Sequence, residues 1–454
     1  MKLYRIIEIF KERMVGIDPL PVFIVGFLVF FVVMFVLIRW GSGFLITLGF
    51  ILTGLLLIRS AAIGGIALMA RFMLVVVLSF YAFFSRKNKV YISKAAIFLA
   101  LLPLVAILNS LRAYQPGSAL VEGVLLLLFF VGFVIGGQRI LGDRRGRATF
   151  TKFLAVFIIV MTLIQIPYMR SAYGLFEGAF ETTVGFMIVG MVGTILLVWF
   201  AMRQRIWSIS FIFCSISAAA TFLLMVMTGG RTALGGTFLG VLIILSRKLK
   251  RNVVIALATL IILAPVGLKI ASAIPGFEKV QSKLFSTTTT GRAELFRLAW
   301  EKIEEKPEIG WGTGTAFITS VAEKGTGYHN SYLTFAVDHG IHFAIIMLIV
   351  FLWLPFRGLF LMRKCHTDEL KDMANLSAAL LIAYVFSSYL GSVLNTTTGI
   401  LPVYSVIALQ EGVRAENREI ELYGWEGEGE DIFWPDGLPE LLDTDVLADY
   451  GKGL

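Results

Sequence analysis

Apolar runs of about 20 residues recur along this chain from Asp18 to about Ala408, and that length is what a helix needs to cross the hydrocarbon core of a bilayer. A soluble fold would have to hide every such run inside one core, which a chain of this size cannot do. Composition agrees: 57% of the 454 residues are hydrophobic and 16% are charged, against roughly 25% charged in soluble domains. The pattern predicts an all-α, polytopic transmembrane helical bundle of about 12 spans with one large extracytoplasmic loop that contains a helix. The spans are expected at about 20–38, 43–58, 64–84, 95–109, 120–137, 150–168, 183–201, 207–227, 232–246, 252–270, 332–356 and 376–394, with a short apolar stretch at 399–410. The organisation read from this is N-terminal transmembrane helices over 1–270, a large periplasmic loop over 271–331, C-terminal transmembrane helices over 332–410, and an acidic cytoplasmic tail over 411–454 that reads as disordered.

Charge gives the orientation. The formal net charge is +9, but residues 411–454 carry 13 acidic and 3 basic residues, which leaves +19 on residues 1–410. Those positive charges sit in short loops at 85–94, 138–152, 202–206, 247–251 and 357–371, alternating with charge-poor loops at 110–119, 169–182 and 228–231. Short basic loops mark the cytoplasmic side, so the charge sets topology and implies no nucleic-acid partner. The N-terminus does not close on this scheme. Its basic residues argue for inside, while counting back through three spans places Met1 outside, and the parity stays open.

Cysteine carries little. Cys214 lies in an apolar run and Cys365 in a basic loop, so neither a disulfide framework nor a thiolate site is expected. The loop between about Ile270 and Tyr332 carries more. It is long for a compact protein, and loops of that length are usually functional. A helix is expected over Arg292 to Lys306, with Leu295, Phe296, Leu298, Ala299 and Ile303 as its apolar stripe and Pro307 as its stop. The stretch Gly310-Trp311-Gly312-Thr313-Gly314 reads as a tight turn. It lacks the Lys-Ser/Thr of a nucleotide-binding phosphate loop.

Three residues converge on the face opposite the basic loops: Arg231 opening a span, Arg292 opening the loop helix, and His329 closing the loop. Guanidinium groups bind phosphate oxygens bidentately and stay charged, and an imidazole can take a proton from a hydroxyl near neutral pH. Each has a plain alternative: Arg231 as a snorkelling span end, Arg292 as a solvated helix residue, His329 as a donor to a loop carbonyl. Arg71, midway through an apolar segment, must face the bundle interior, there to meet a lipid phosphate or an internal partner. Arg170, with Tyr173, Phe176 and Phe180, has the character of a sugar-facing lip or of an interfacial anchor. His339 and His342 have no carboxylate or third His well placed beside them, and no metal is expected.

The ordered pattern Gly230-Arg231-Thr232, Gly291-Arg292 with Trp300, Lys306-Pro307-Glu308-Ile309-Gly310-Trp311-Gly312, then His329-Asn330-Ser331-Tyr332-Leu333 with Asp338 and Gly340 resembles the O-antigen ligase and Wzy-type polymerase superfamily over about residues 225–350. The resemblance implies a metal-independent, inverting glycosyltransferase without cofactors, in the bacterial inner membrane, acting on its periplasmic face. Its donor would be a glycan on undecaprenyl diphosphate. Its acceptor would be another lipid-linked glycan, for a polymerase of O-antigen or exopolysaccharide, or lipid A–core, for a ligase, with the polymerase slightly ahead. By motif, Arg231 and Arg292 would hold the diphosphate and His329 would activate or orient the acceptor hydroxyl. Tyr328, Asn330, Arg71 and Arg170 are further candidate substrate contacts, the last two read from their positions and not from the resemblance. The rival class is a transporter or flippase of lipid-linked sugars, which needs cations along a path across the bilayer. The acidic tail has no counterpart in the family pattern.

Overall fold

The computed structural model describes residues 43–56, 61–84, 91, 93–165, 183–228, 230–249, 292–316, 328–389, 394 and 400–423. Every regular element among them is helical. In chain order these are α1 (Gly43–Leu56), α2 (Ala61–Phe84), α3 (Lys94–Asn109), α4 (Pro116–Phe129), α5 (Gly137–Leu141), α6 (Arg144–Gln165), α7 (Thr183–Arg203), α8 (Ile209–Met227) and α9 (Arg231–Leu249). Beyond residue 291 follow α10 (Arg292–Glu305), α11 (Ser331–His339), α12 (Ile341–Lys364), α13 (Asp368–Tyr389) and α14 (Ile400–Tyr423). A π-helical segment, Phe130–Gly136, joins α4 to α5 without a break. Starts are set locally: Ser93 and Ser208 accept hydrogen bonds from Ala96 and Phe211 as N-caps, and Pro116 occupies the first turn of α4.

Among the described residues, seven segments are long and apolar enough to cross a membrane: Lys94–Arg112, Pro116–Leu141, Arg144–Gln165, Phe186–Arg203, Ile209–Met227, Ile341–Lys364 and Asp368–Tyr389. The expected spans at 20–38 and 252–270 lie outside the described residues, as do the loop 169–182 and Arg170. The core forms around α13, which packs on α7, α9, α11, α12 and α14. Side chains are buried nearly all round α13, as in a helix enclosed by others. Small residues let α9 approach closely: a Cβ on Gly236 or Gly240 would lie 2.8 Å from the Ala383 carbonyl or 2.9 Å from that of Ala379. Spacing small residues four apart is how helices come together where no water drives them.

Two expectations are corrected. The span expected over 332–356 is two helices, α11 and α12, broken at Gly340. The reason lies in chain that is remote in sequence: Ile341 N–H donates to the Pro307 carbonyl (2.8 Å), so the Pro307–Gly312 turn occupies the break. The tail expected from Glu411 is helical as far as Tyr423, continuous with the apolar start of α14. Its first acidic residues are ion-pair partners of the basic loops. Glu411 meets Arg357 and Arg414 and accepts from Ser93 (2.7 Å), while Glu416 meets the fully buried Arg147. Acidic residues at the start of α13 complete this end of the bundle, with Glu369 on Arg144 (2.7 Å) and Asp372 on Arg247. Buried arginines require such partners.

Candidate functional site

The opposite end of the bundle is organised by the glycine turn. Gly310, Gly312 and Gly314 all have positive φ (+65°, +99° and +76°), a region open to glycine at no steric cost. The turn is pinned to the end of α11 by backbone hydrogen bonds from Trp311 to Val337 (2.8 Å) and from Gly312 to Asp338 (2.9 Å). The buried carboxylate of Asp338 then accepts from Gly314 N–H (3.0 Å) and Ala316 N–H (2.7 Å). On its far side the turn touches the last turn of α3, where Thr313 Oγ1 donates to the Ala106 carbonyl (2.7 Å). Trp311 donates through Nε1 to the Lys302 carbonyl (2.9 Å) and lies under the Lys306 ammonium at 3.8 Å, which ties the turn to α10. This is a structural turn, as its sequence suggested, and Asp338 is its anchor. The residue pattern gave no sign of that role, because an aspartate 24 positions from its partner leaves no local signature.

The turn thereby fixes α10 against α11. The buried face of α10 is Leu295, Ala299 and Ile303, the centre of the expected stripe. Arg231 is the first residue of α9, Arg292 is the first residue of α10, and His329 stands two residues before α11. Helix N-termini carry the positive end of the helix dipole and free N–H groups, so they favour anions and disfavour cations. Placing arginine at two of them costs stability unless an anion is there to be bound. Glu294 also lies in the first turn of α10, on its exposed side.

The structure brings these three residues together electrostatically. Burial holds the Arg292 guanidinium below its ordinary value, and the charge of Arg231 lowers it further. Burial also lowers His329 below the ordinary imidazole value, with the charge of Arg292 acting the same way. His329 is therefore neutral near pH 7 and able to accept a proton. Arg231 is exposed, and Arg292 and His329 are half-buried, so all three can meet a ligand. His329 has φ +53°, a left-handed conformation rare outside glycine. Such strain persists only where the surroundings impose it and is concentrated at functional sites. Here the neighbours on both sides are fixed. Tyr328 is buried, and Asn330 caps α11 by accepting from the Tyr332 and Leu333 N–H groups at 2.9 and 3.0 Å. Ser331 Oγ accepts from Leu394 N–H (3.0 Å).

Tyr328 and Asn330, expected as substrate contacts, are buried on either side of His329. Arg71 is buried inside the bundle, its guanidinium 5.2 Å from the Phe129 ring centroid, as its cost in lipid requires. His339 packs edge-on to Phe343, with Nδ1 3.2 Å from Asn109. Among the described residues no three His, Cys, Asp or Glu side chains are grouped to hold a metal ion.

The apolar helices fit a multi-pass membrane protein, one end of which carries two arginines and an imidazole. Residues 216–349, which contain Arg231, Arg292 and His329, match the family model described as O-antigen ligase. None of the curated proteins compared matches the chain.

Proposed function

We propose that the protein is an inner-membrane glycosyltransferase of surface-polysaccharide assembly that moves a glycan from undecaprenyl diphosphate to an acceptor hydroxyl on the periplasmic face. The observation that carries this reading is the placement of Arg231 and Arg292 at two helix N-termini with His329 in the field of Arg292. The lipid-linked donor enters from the bilayer and its diphosphate lies between the two guanidinium groups. His329 takes the proton of the acceptor hydroxyl as the acceptor oxygen bonds to C1 of the donor sugar, from the side opposite the leaving group. The C1–O bond to phosphate breaks with its electron pair, and undecaprenyl diphosphate departs with inverted configuration left at C1. Negative charge grows on the diphosphate as that bond breaks, so fixed cations favour the transition state over the ground state. The residues present suffice for this without a metal ion. Polymerisation of O-antigen or exopolysaccharide repeats stands slightly ahead of ligation to lipid A–core.

The test is binding of undecaprenyl diphosphate itself, without sugar, to the purified protein. Arg231→Ala and Arg292→Ala should each weaken it at least tenfold while the protein remains inserted and folded. Equal binding by either variant removes that arginine from the site.

A further inference from the structure

An acidic side chain at the same end of the bundle is left over by this mechanism. Glu122 lies in the outer part of Pro116–Leu141, an otherwise apolar candidate span in which the other charged residue, Arg139, is near the far end. An ionisable group within a span is costly and therefore marks function by default. A structural role would give it a cation or a hydrogen bond, and among the described residues the Glu122 carboxylate makes neither. Its neighbour has the wrong sign: the charge of Glu122 acts on Asp338, whose own two oxygens are occupied by backbone N–H groups of the glycine turn. Glu122 Oε2 faces Gly314, where an added Cβ would lie 3.4 Å from it and would meet no other described atom within 4 Å. Beside this position Tyr114 is 73% exposed and donates from its backbone N–H to Thr315 Oγ1 (3.4 Å).

We propose that Glu122, with Tyr114 at its side, forms a carbohydrate subsite for sugar units of the substrate glycan beyond the one that is transferred. A carboxylate accepts up to four hydrogen bonds and donates none, which matches the paired hydroxyls of a sugar ring. An exposed aromatic ring offers an apolar face with a polar edge, which matches the C–H face of the same ring. Spacing agrees with a role away from the reacting atoms. Asp338 stands seven residues after Ser331, about 10 Å along α11 at 1.5 Å per residue, and His329 lies two residues further back, which places Glu122 at a neighbouring sugar rather than at C1. The inference rests on the glycosyl-transfer reading for its substrate, but its test is separate.

The probe is the oligosaccharide repeat unit released by mild acid from the lipid-linked donor of the same cells, titrated into the purified full-length protein. Glu122→Gln keeps the shape and removes the charge. It should weaken oligosaccharide binding at least tenfold and leave the binding of undecaprenyl diphosphate unchanged. Tyr114→Ala, on an exposed residue, should weaken it in the same direction should Glu122→Gln prove unstable. Oligosaccharide binding equal to wild type in both variants overturns the subsite, as does absence of binding by the wild-type protein. Loss of oligosaccharide binding in Glu122→Gln, in a protein that performs no transfer, keeps the subsite and removes the transferase reading. Unchanged oligosaccharide binding in Glu122→Gln, with transfer abolished by Arg231→Ala, does the reverse.

Discussion

Gly340 is the position at which the geometry of the site end is most exposed to a single methyl group. It has φ +92° and ψ 159°, a combination essentially confined to glycine, so any other residue there stores about 1–3 kcal/mol of backbone strain. A Cβ at Gly340 would also lie 2.2 Å from the Glu308 carbonyl oxygen and 2.5 Å from its carbon. Those atoms are backbone, held by the hydrogen bond from Ile341 N–H to the Pro307 carbonyl, so they cannot swing aside as a side-chain end would. Overpacking of this kind costs about a further 1–3 kcal/mol, and Gly340→Ala should lose about 2–6 kcal/mol in all. Gly314→Ala supplies the control. It pays strain at φ +76°, but among the described atoms its Cβ meets only Glu122 Oε2, at an ordinary 3.4 Å, so its loss should stay within about 1–3 kcal/mol. Equilibrium unfolding in mixed micelles measures both. Gly340→Ala as stable as Gly314→Ala would refute the claim that the Pro307–Gly312 turn fills the break between α11 and α12.

Arg292→Ala should lower transfer by about 100- to 1,000-fold, the range for removing one preorganised charge-stabilising group, and Arg292→Lys should recover part of this, because a lysine keeps the charge and loses the bidentate fork; initial rates at saturating donor decide both. His329 acts as a base in its neutral form, and its value lies below the ordinary one. Transfer should therefore persist at pH 6.5 and fall only as the pH drops through that lowered value. Arg292→Gln removes one of the two causes, so the fall in its residual activity should begin at higher pH; a pH–rate profile unmoved by the substitution would contradict this. At the other end, Arg357→Ala leaves the buried Glu411 carboxylate with Arg414 as its ion-pair partner among the described residues and should cost about 3–5 kcal/mol. The double variant Arg357→Met/Glu411→Leu should be less destabilised, by the same unfolding measurement.

Apolar runs and basic loops made most of the helices legible in the sequence, because spanning a bilayer imposes a length and an orientation that need no tertiary information. The positions of Arg231, Arg292 and His329 were legible for a related reason: each stands at or just before the start of an apolar or periodic segment. What escaped was set by contacts between distant segments. The break at Gly340 depends on a turn that ends 28 residues earlier, a partner that no local pattern reveals. The first acidic residues of the supposed tail are helical because Arg147 and Arg357, more than 50 positions away, need partners. Asp338 and the left-handed backbone of His329 likewise appear only once the glycine turn is docked.

The most direct test of the central claim is an assay of the purified protein with a lipid-diphosphate-linked oligosaccharide, alone and with lipid A–core, each with and without EDTA. Transfer that EDTA does not abolish is the expected result, seen as a ladder of products without added acceptor for a polymerase or as a single transfer to lipid A–core for a ligase. An absence of transfer under all conditions, with the donor still moved between the leaflets of a reconstituted vesicle, would contradict it and make the protein a transporter of lipid-linked sugars.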